Sequence, residues 1–198
     1  MAKRSIDRRV ARSRTVLHKA LMSLILKKDY EAISVQDICD AANVGRSTFY
    51  AHYTSKDHLK RAGLDQHLRR LLIHRPKDAP VALGDNGGQP LGFSLAMFEH
   101  AAGHKDLLRA LAGGRGGAIA LGTIRQIISD AVRDELAATA KEHSAASIPH
   151  DLIVQYVAGA YMAVLTWWLD KGAKLPPQRL DAMFRRLATE GIFTHHES

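Results

Sequence analysis

Residues 44–59 read VGRSTFYAHYTSKDHL, and the way this stretch folds decides how the chain folds. Between Arg46 and Tyr53 it holds two tyrosines, a phenylalanine and a histidine, with Lys56 three places on. It could be an amphipathic helix that buries aromatics, or a helix that offers Tyr and His to a ligand. Helical periodicity assigns it both tasks. Phe49 and Tyr53, four apart, fall on one side and face a core, while Ser47, Thr48, Ala51 and His52 face away and Tyr50 sits at the flank.

Working outward, the residues before this stretch supply the core it needs. Ser34 with Asp37 reads as an N-cap with its capping-box acid, opening a short helix VQDICDAA that buries Val35, Ile38, Cys39 and Ala42. Asn43-Val44-Gly45 is a tight turn, since Asn and Gly both tolerate positive φ. A longer first helix is expected from about Asp7 to Lys27, with Val10, Leu17, Ala20, Leu21, Leu24 and Ile25 at helical spacing and lysines at its end. Ser55 caps a fourth helix that runs from Lys56 to about His74, before Pro76. Two short helices joined by a tight turn, after a longer one, make a helix-turn-helix. Its outward face carries hydroxyls, imidazole and phenol and no acid, which suits a major groove and its phosphates.

Charge agrees with this reading. The chain of 198 residues carries a formal net charge of +8. Residues 1–75 hold 16 Lys and Arg against 7 Asp and Glu, and the remainder holds 12 against 13. The whole excess lies in the first third, which points to phosphate backbone or an anionic membrane. Apolar residues at 46% and charged residues at 24% are globular composition. A lone cysteine, Cys39, excludes an intramolecular disulfide and a thiolate metal cluster, and reads as a small core residue. The opening MAKRSIDRRVARSR is charged without an apolar core, so it does not read as a secretory signal, and a cytoplasmic location is expected.

The segment 75–90, RPKDAPVALGDNGGQP, is dense in turn formers and coincides with the charge step. The expected division is therefore a DNA-binding domain at 1–60, connected by the helix at about 56–74, and a second domain at 75–198. Helical pattern resumes in LGFSLAMFEHAAG and HKDLLRALAG. Gly113–Gly117, GGRGG, reads as a helix break rather than a phosphate loop, because it lacks the Walker spacing and follows no strand. A long helix should follow from about Ala118 to Glu142, then one from Pro149 to Gly172, then a last one opened by Pro176-Pro177. No alternating strand pattern occurs, so the expected fold is all-α with about nine helices.

The helix LIVQYVAGAYMAVLTWWL (152–169) is apolar almost all round, which invites a membrane-span reading. Gln155, Gly159 and Thr166 interrupt it and charged residues bracket it, so burial on two sides, by its own core and by a second subunit, is expected instead. The last helix would add Leu180, Met183, Phe184, Leu187, Ile192 and Phe193, completing a four-helix interface. The expected dimer contacts are Val157, Tyr161, Val164, Trp168, Met183, Phe184 and Leu187. His100 and His104 share a helix face, but no third ligand is evident and no metal or cofactor is expected.

The run from Arg14 to Leu59 resembles the DNA-binding region of the TetR family of bacterial transcriptional regulators. RTVLHKALMSLI, DYEAISVQDICDAANV and RSTFYAHYTSKDHL match it without a gap. Ile38, Ala42, Val44, Thr48, Tyr50, His52, Lys56 and Leu59 fall at the family's spacing. Asn43, Gly45 and Cys39 depart from its common residues. The resemblance implies DNA contacts from Ser34, Arg46, Ser47, Thr48, Tyr50, His52, Tyr53 and Lys56, the last on phosphate. Backbone contacts are expected from an N-terminal arm with Arg4, Arg8, Arg9, Arg12 and Arg14. It implies a homodimer on a palindromic DNA operator, and an effector pocket that would draw on Phe98, His100, His104, Tyr161 and Trp167. The function it implies is a repressor released by a small-molecule effector. The alternative is an activator with a protein coactivator, since WWLDKG and PPQRLDAMF resemble the branch that regulates dihydroxyacetone-kinase genes. An enzyme is not expected, because no paired carboxylates, Ser-His-Asp order or complete metal set occurs. A membrane-surface protein is the remaining reading of the basic end.

Overall fold

A computed structural model describes residues 2–73, 91–111, 114–139 and 148–191, with the side chains of 2–8, 109–111, 114–115 and 139 left aside. Among the described residues there are nine α-helices and no strand. They are α1 (Ala2–Ile25), α2 (Val35–Ala42), α3 (Arg46–Tyr50), α4 (Lys56–Ile73), α5 (Ser94–Gly103), α6 (Lys105–Leu111), α7 (Gly114–Thr139), α8 (His150–Asp170) and α9 (Pro177–Thr189), with a short 3₁₀ turn at Tyr30–Ala32. The chain forms two compact units, one of Met1–His67 with Asp106–Thr123, the other of Leu68–Lys105 with Ile124–Ser198. The expected linker at 75–90 lies outside the described residues, as do Ile192 and Phe193.

In the first unit α1 packs on α2, and α2 on α3. Leu17, Leu21, Ile38, Phe49 and Leu59 lie at 0% exposure, and Tyr30, Ile33, Cys39 and Tyr53 close the same core with Ala120 of α7. Each buried aliphatic or aromatic side chain contributes about 1.5–3 kcal/mol relative to exposure. Two helices start earlier than their sequence suggests. α1 begins at Ala2 rather than near Asp7, so the basic arm is helical. α7 begins at Gly114 rather than Ala118. Glycines cost about 1 kcal/mol each in a helix, yet here their small size is used. A Cβ on Gly116 would lie 2.9 Å from the Tyr30 ring and 3.1 Å from Lys60 Nζ.

The second unit is built round an aromatic cluster. Phe98 stacks on Tyr161 at 4.6 Å between centroids, and Phe184 meets Tyr161 edge-on at 5.5 Å. Beside them Ser94 donates to the Asp181 carboxylate, which also accepts from Arg185 Nε at 2.8 Å. A buried carboxylate paired in this way avoids the cost of a lone buried charge. Full burial, with Asp181 adding to it, pushes the Tyr161 phenol well above its usual range. α8 turns Val154, Val157, Ala158, Tyr161, Leu165 and Trp168 inward. By length and composition alone α8 could cross a membrane.

Candidate nucleic-acid interface

The helix-turn-helix is set by three local devices. Ser34 Oγ accepts from the Asp37 amide at 3.1 Å, and Asp37 accepts from the Ser34 amide at 2.7 Å, a complete capping box. Asn43 takes the left-handed conformation at φ 51°, ψ 51°, which stops α2 and turns the chain. Gly45 then caps α3 with extended backbone and no side-chain bond. α3 itself has a single fully buried residue, Phe49, whose ring lies 6.0 Å from that of Tyr53.

The outward face follows from this anchoring. Arg46, Ser47 and Tyr50 are exposed, and Thr48 and His52 are half-buried. The Arg46 guanidinium stands 5.8 Å over the Tyr50 ring, so the two form one polar-aromatic surface. Tyr53 does not join it. At 5% exposure it belongs to the core, and burial raises its phenol pKa.

Two expected DNA contacts also hold hydrogen bonds within the chain. Ser34 is the α2 cap, and its partner Asp37 also binds Lys28 Nζ at 2.8 Å. That hydrogen bond, then those from Ser34, hold the Asp37 carboxyl well below the usual carboxylate range. Lys56 donates to the carbonyls of Tyr30 (2.9 Å), Glu31 (3.1 Å) and Ile33 (2.9 Å), and sits 4.7 Å over the Tyr30 ring. These three hydrogen bonds make Lys56, the residue expected on phosphate, a clamp on the 3₁₀ turn as well. Arg9, Arg12 and Arg14 are exposed on α1, while the side chains of Arg4 and Arg8 lie outside the described residues.

The residues expected to line an effector pocket do not gather. Phe98 and Tyr161 are stacked in the core, whereas Trp167 is 45% exposed. His100 and His104 stack on each other at 4.2 Å, and His104 Nδ1 lies 2.9 Å from the His100 carbonyl. Among the described residues no group of three side chains could hold a metal ion. The expected dimer set divides in the same way. Val157, Tyr161, Trp168 and Phe184 are buried in their own unit, while Met183 and Leu187 are exposed and Val164 is half-buried. Because α8 is apolar on every side, its periodicity did not select the inward face. The exposed large residues on α8 are Leu152, Tyr156 and Trp167.

Sequence reasoning also passed over Lys60, which is buried at 1% exposure, donates to the Gly116 carbonyl and lies 4.3 Å over the Tyr30 ring. The available signal was its spacing of four from Lys56, which puts both on one face of α4.

Comparison with known proteins agrees with this geometry. Residues 17–62 match the family model described as bacterial regulatory proteins, tetR family, and residues 89–190 match the model of a transcriptional regulator C-terminal region. YxbF of Bacillus subtilis (strain 168), an uncharacterized HTH-type transcriptional regulator, is 36% identical over 72 residues, which are 36% of this chain and 19% of that protein. A TetR transcriptional regulator from Streptococcus agalactiae superimposes with a TM-score of 0.63 at 24% identity, over 94% of this chain and 98% of that one. The dihydroxyacetone kinase operon activator DhaS has the same fold at a TM-score of 0.60 and 17% identity, over 91% and 96%. With both its helix-turn-helix and its C-terminal region matched, the chain belongs to the TetR family of bacterial regulatory proteins and is a DNA-binding transcriptional regulator, not an enzyme.

Proposed function

We propose that the protein is a cytoplasmic repressor that binds a palindromic operator as a homodimer and leaves it when a small-molecule effector binds. The observation that carries the DNA-reading part is the outward face of α3. Arg46, Ser47, Thr48, Tyr50 and His52 present donors, acceptors and a ring, with no acid, on a helix anchored by Phe49. Such a face accepts base edges in a major groove and phosphates at its rim. The exposed arginines of α1 would follow the backbone.

Support for a homodimer comes from α8 and α9. Leu152, Tyr156 and Trp167, at 58%, 54% and 45% exposure, form one stripe on α8. Gly159 lies between them, and a Cβ there would meet nothing within 4 Å. Met183 and Leu187 expose a matching edge on α9. Apolar stripes with a small residue between large ones suit close approach of a second copy.

Recovery of bound genomic fragments by the purified protein, followed by footprinting, tests the reading. A protected palindrome of operator size supports it, and the lack of any footprint sinks it. The name of DhaS keeps a second reading in view, an activator working with a protein coactivator. Release of the recovered fragment by a metabolite favours the repressor. Retention on DNA with captured protein favours the activator.

A further inference from the structure

The glycine run at the start of α7 and the buried lysine of α4 meet at one residue, Tyr30. The Tyr30 hydroxyl donates to Asp57 Oδ1 at 2.6 Å. Lys56 and Lys60 stand 4.7 Å and 4.3 Å over its ring. Lys56 fixes the carbonyls of Tyr30, Glu31 and Ile33, just before the Ser34 cap of α2. The start of α2 and the start of α4 are thus tied together, and α2, the turn and α3 form the segment between those two ties. The geometry of the recognition helix is therefore fixed at its base by Tyr30 and its partners.

The first turn of α7 completes this base. Lys60 donates to the Gly116 carbonyl, and Gly116 approaches so closely that a Cβ would be 2.9 Å from Tyr30 Cγ and Cδ1. A buried ammonium is costly to keep, and burial draws the Lys60 pKa down to about 8 although Asp57 and Glu31 favour its charge. An apolar side chain would fill the space with less penalty. The charge is held in place by the ring and by one carbonyl of α7.

We propose that Lys60 and Gly116 form an internal latch, in which the first turn of α7 holds Tyr30, and through it the base of the helix-turn-helix, in the geometry that binds DNA. Movement of that turn by the width of one hydrogen bond would leave Lys60 unpaired and free the base. The latch is a positioning device, since neither residue faces the DNA-reading surface.

The test compares Lys60→Met and Gly116→Ala with the unaltered full-length protein. The probe is a duplex selected by the unaltered protein from a random-sequence pool. Each variant should bind it at least about tenfold more weakly while melting within a few degrees of the parent. Hydrogen exchange of the free proteins needs no duplex and separates this proposal from the reading of the operator. Amides of residues 30–50 should exchange at least about tenfold faster, with those of α8 and α9 unchanged. Parental exchange at 30–50 in either variant overturns the latch. So does acceleration spread equally over α8 and α9, or loss of the fold in both variants, which would make the pair a folding determinant. Parental affinity for the duplex in both variants overturns it as well.

Discussion

Gly63 of α4 stands so close to the His18 ring of α1 that a Cβ on it would lie 1.8 Å from His18 Cδ2. His18 Nε2 is buried there without a hydrogen-bond partner. Gly63→Ala should cost roughly 1–3 kcal/mol by overpacking. Adding His18→Ala should recover part of that loss, because the clash is pairwise. Thermal unfolding of the two single variants and the double variant measures both terms. Burial first, then the nearby His67, lowers the His18 pKa below 6.5. The unfolded chain therefore takes up this proton first as pH falls. Stability should be full above about 6.5 and decline as pH falls from there toward the folded value, and His18→Gln should flatten that slope.

The two faces of α3 should separate in mutation. Phe49→Ala should destabilise the protein by roughly 3–5 kcal/mol, since it empties a fully buried site. Tyr50→Ala or His52→Ala should leave the melting temperature within a degree or two and weaken binding to a selected duplex by about tenfold or more. The reverse ranking in unfolding and binding assays would overturn this assignment of faces.

Ser34 and Lys56 should behave as structural residues. Ser34→Ala removes the α2 cap and should cost about 1 kcal/mol. Lys56→Met leaves three carbonyls without their charged donor and should cost roughly 1.5–3 kcal/mol. If Lys56 instead acted only on phosphate, its variant would melt like the parent and bind DNA with a shallower salt dependence. Denaturant unfolding with a salt titration of binding distinguishes the two.

Adjacent tryptophans should have opposite phenotypes. Trp168 is buried, with its Nε1 donating to the Leu175 carbonyl at 3.0 Å, and Trp168→Ala should cost roughly 3–5 kcal/mol. Trp167→Glu places a charge on the exposed stripe and should yield a folded monomer by sedimentation. A Trp167→Glu protein that stayed dimeric would remove α8 from the proposed interface.

Lys60 should add a second pH window at the alkaline end. Its pKa is about 8 in the folded chain against an ordinary 10.5, so the folded state loses this proton first. Stability should rise with pH from about 8 toward 10, relative to Lys60→Met. A constant difference in melting temperature between the two proteins over that range would show that Lys60 does not titrate there.

Sequence patterns disclosed most where neighbours in the chain do the work. The Ser34–Asp37 cap, the Asn43 turn and the split between Phe49 and Tyr50 depend on residues a few places apart, and all were readable. The clamp made by Lys56 was not legible, because its carbonyl partners lie 23 to 26 residues upstream, in a 3₁₀ turn that carries no periodic signal. That Trp168 is buried and Trp167 exposed was not legible, because a helix apolar on every side has no phase to read. The run Gly113–Gly117 reads as a break, yet α7 begins at Gly114, because propensity outweighs packing when the packing partner, Tyr30, is unknown.

α3 spans five residues, too few to be helical in isolation. Its order comes chiefly from the inner side, through Phe49, Tyr53 and the helix it packs on. Tyr50 adds an edge-on contact to the Phe49 ring at 5.3 Å, whereas positions 46 and 47 carry none of that duty. They form an exchangeable cassette, so grafting other side chains there would alter the surface offered to DNA while the scaffold beneath stayed as it is.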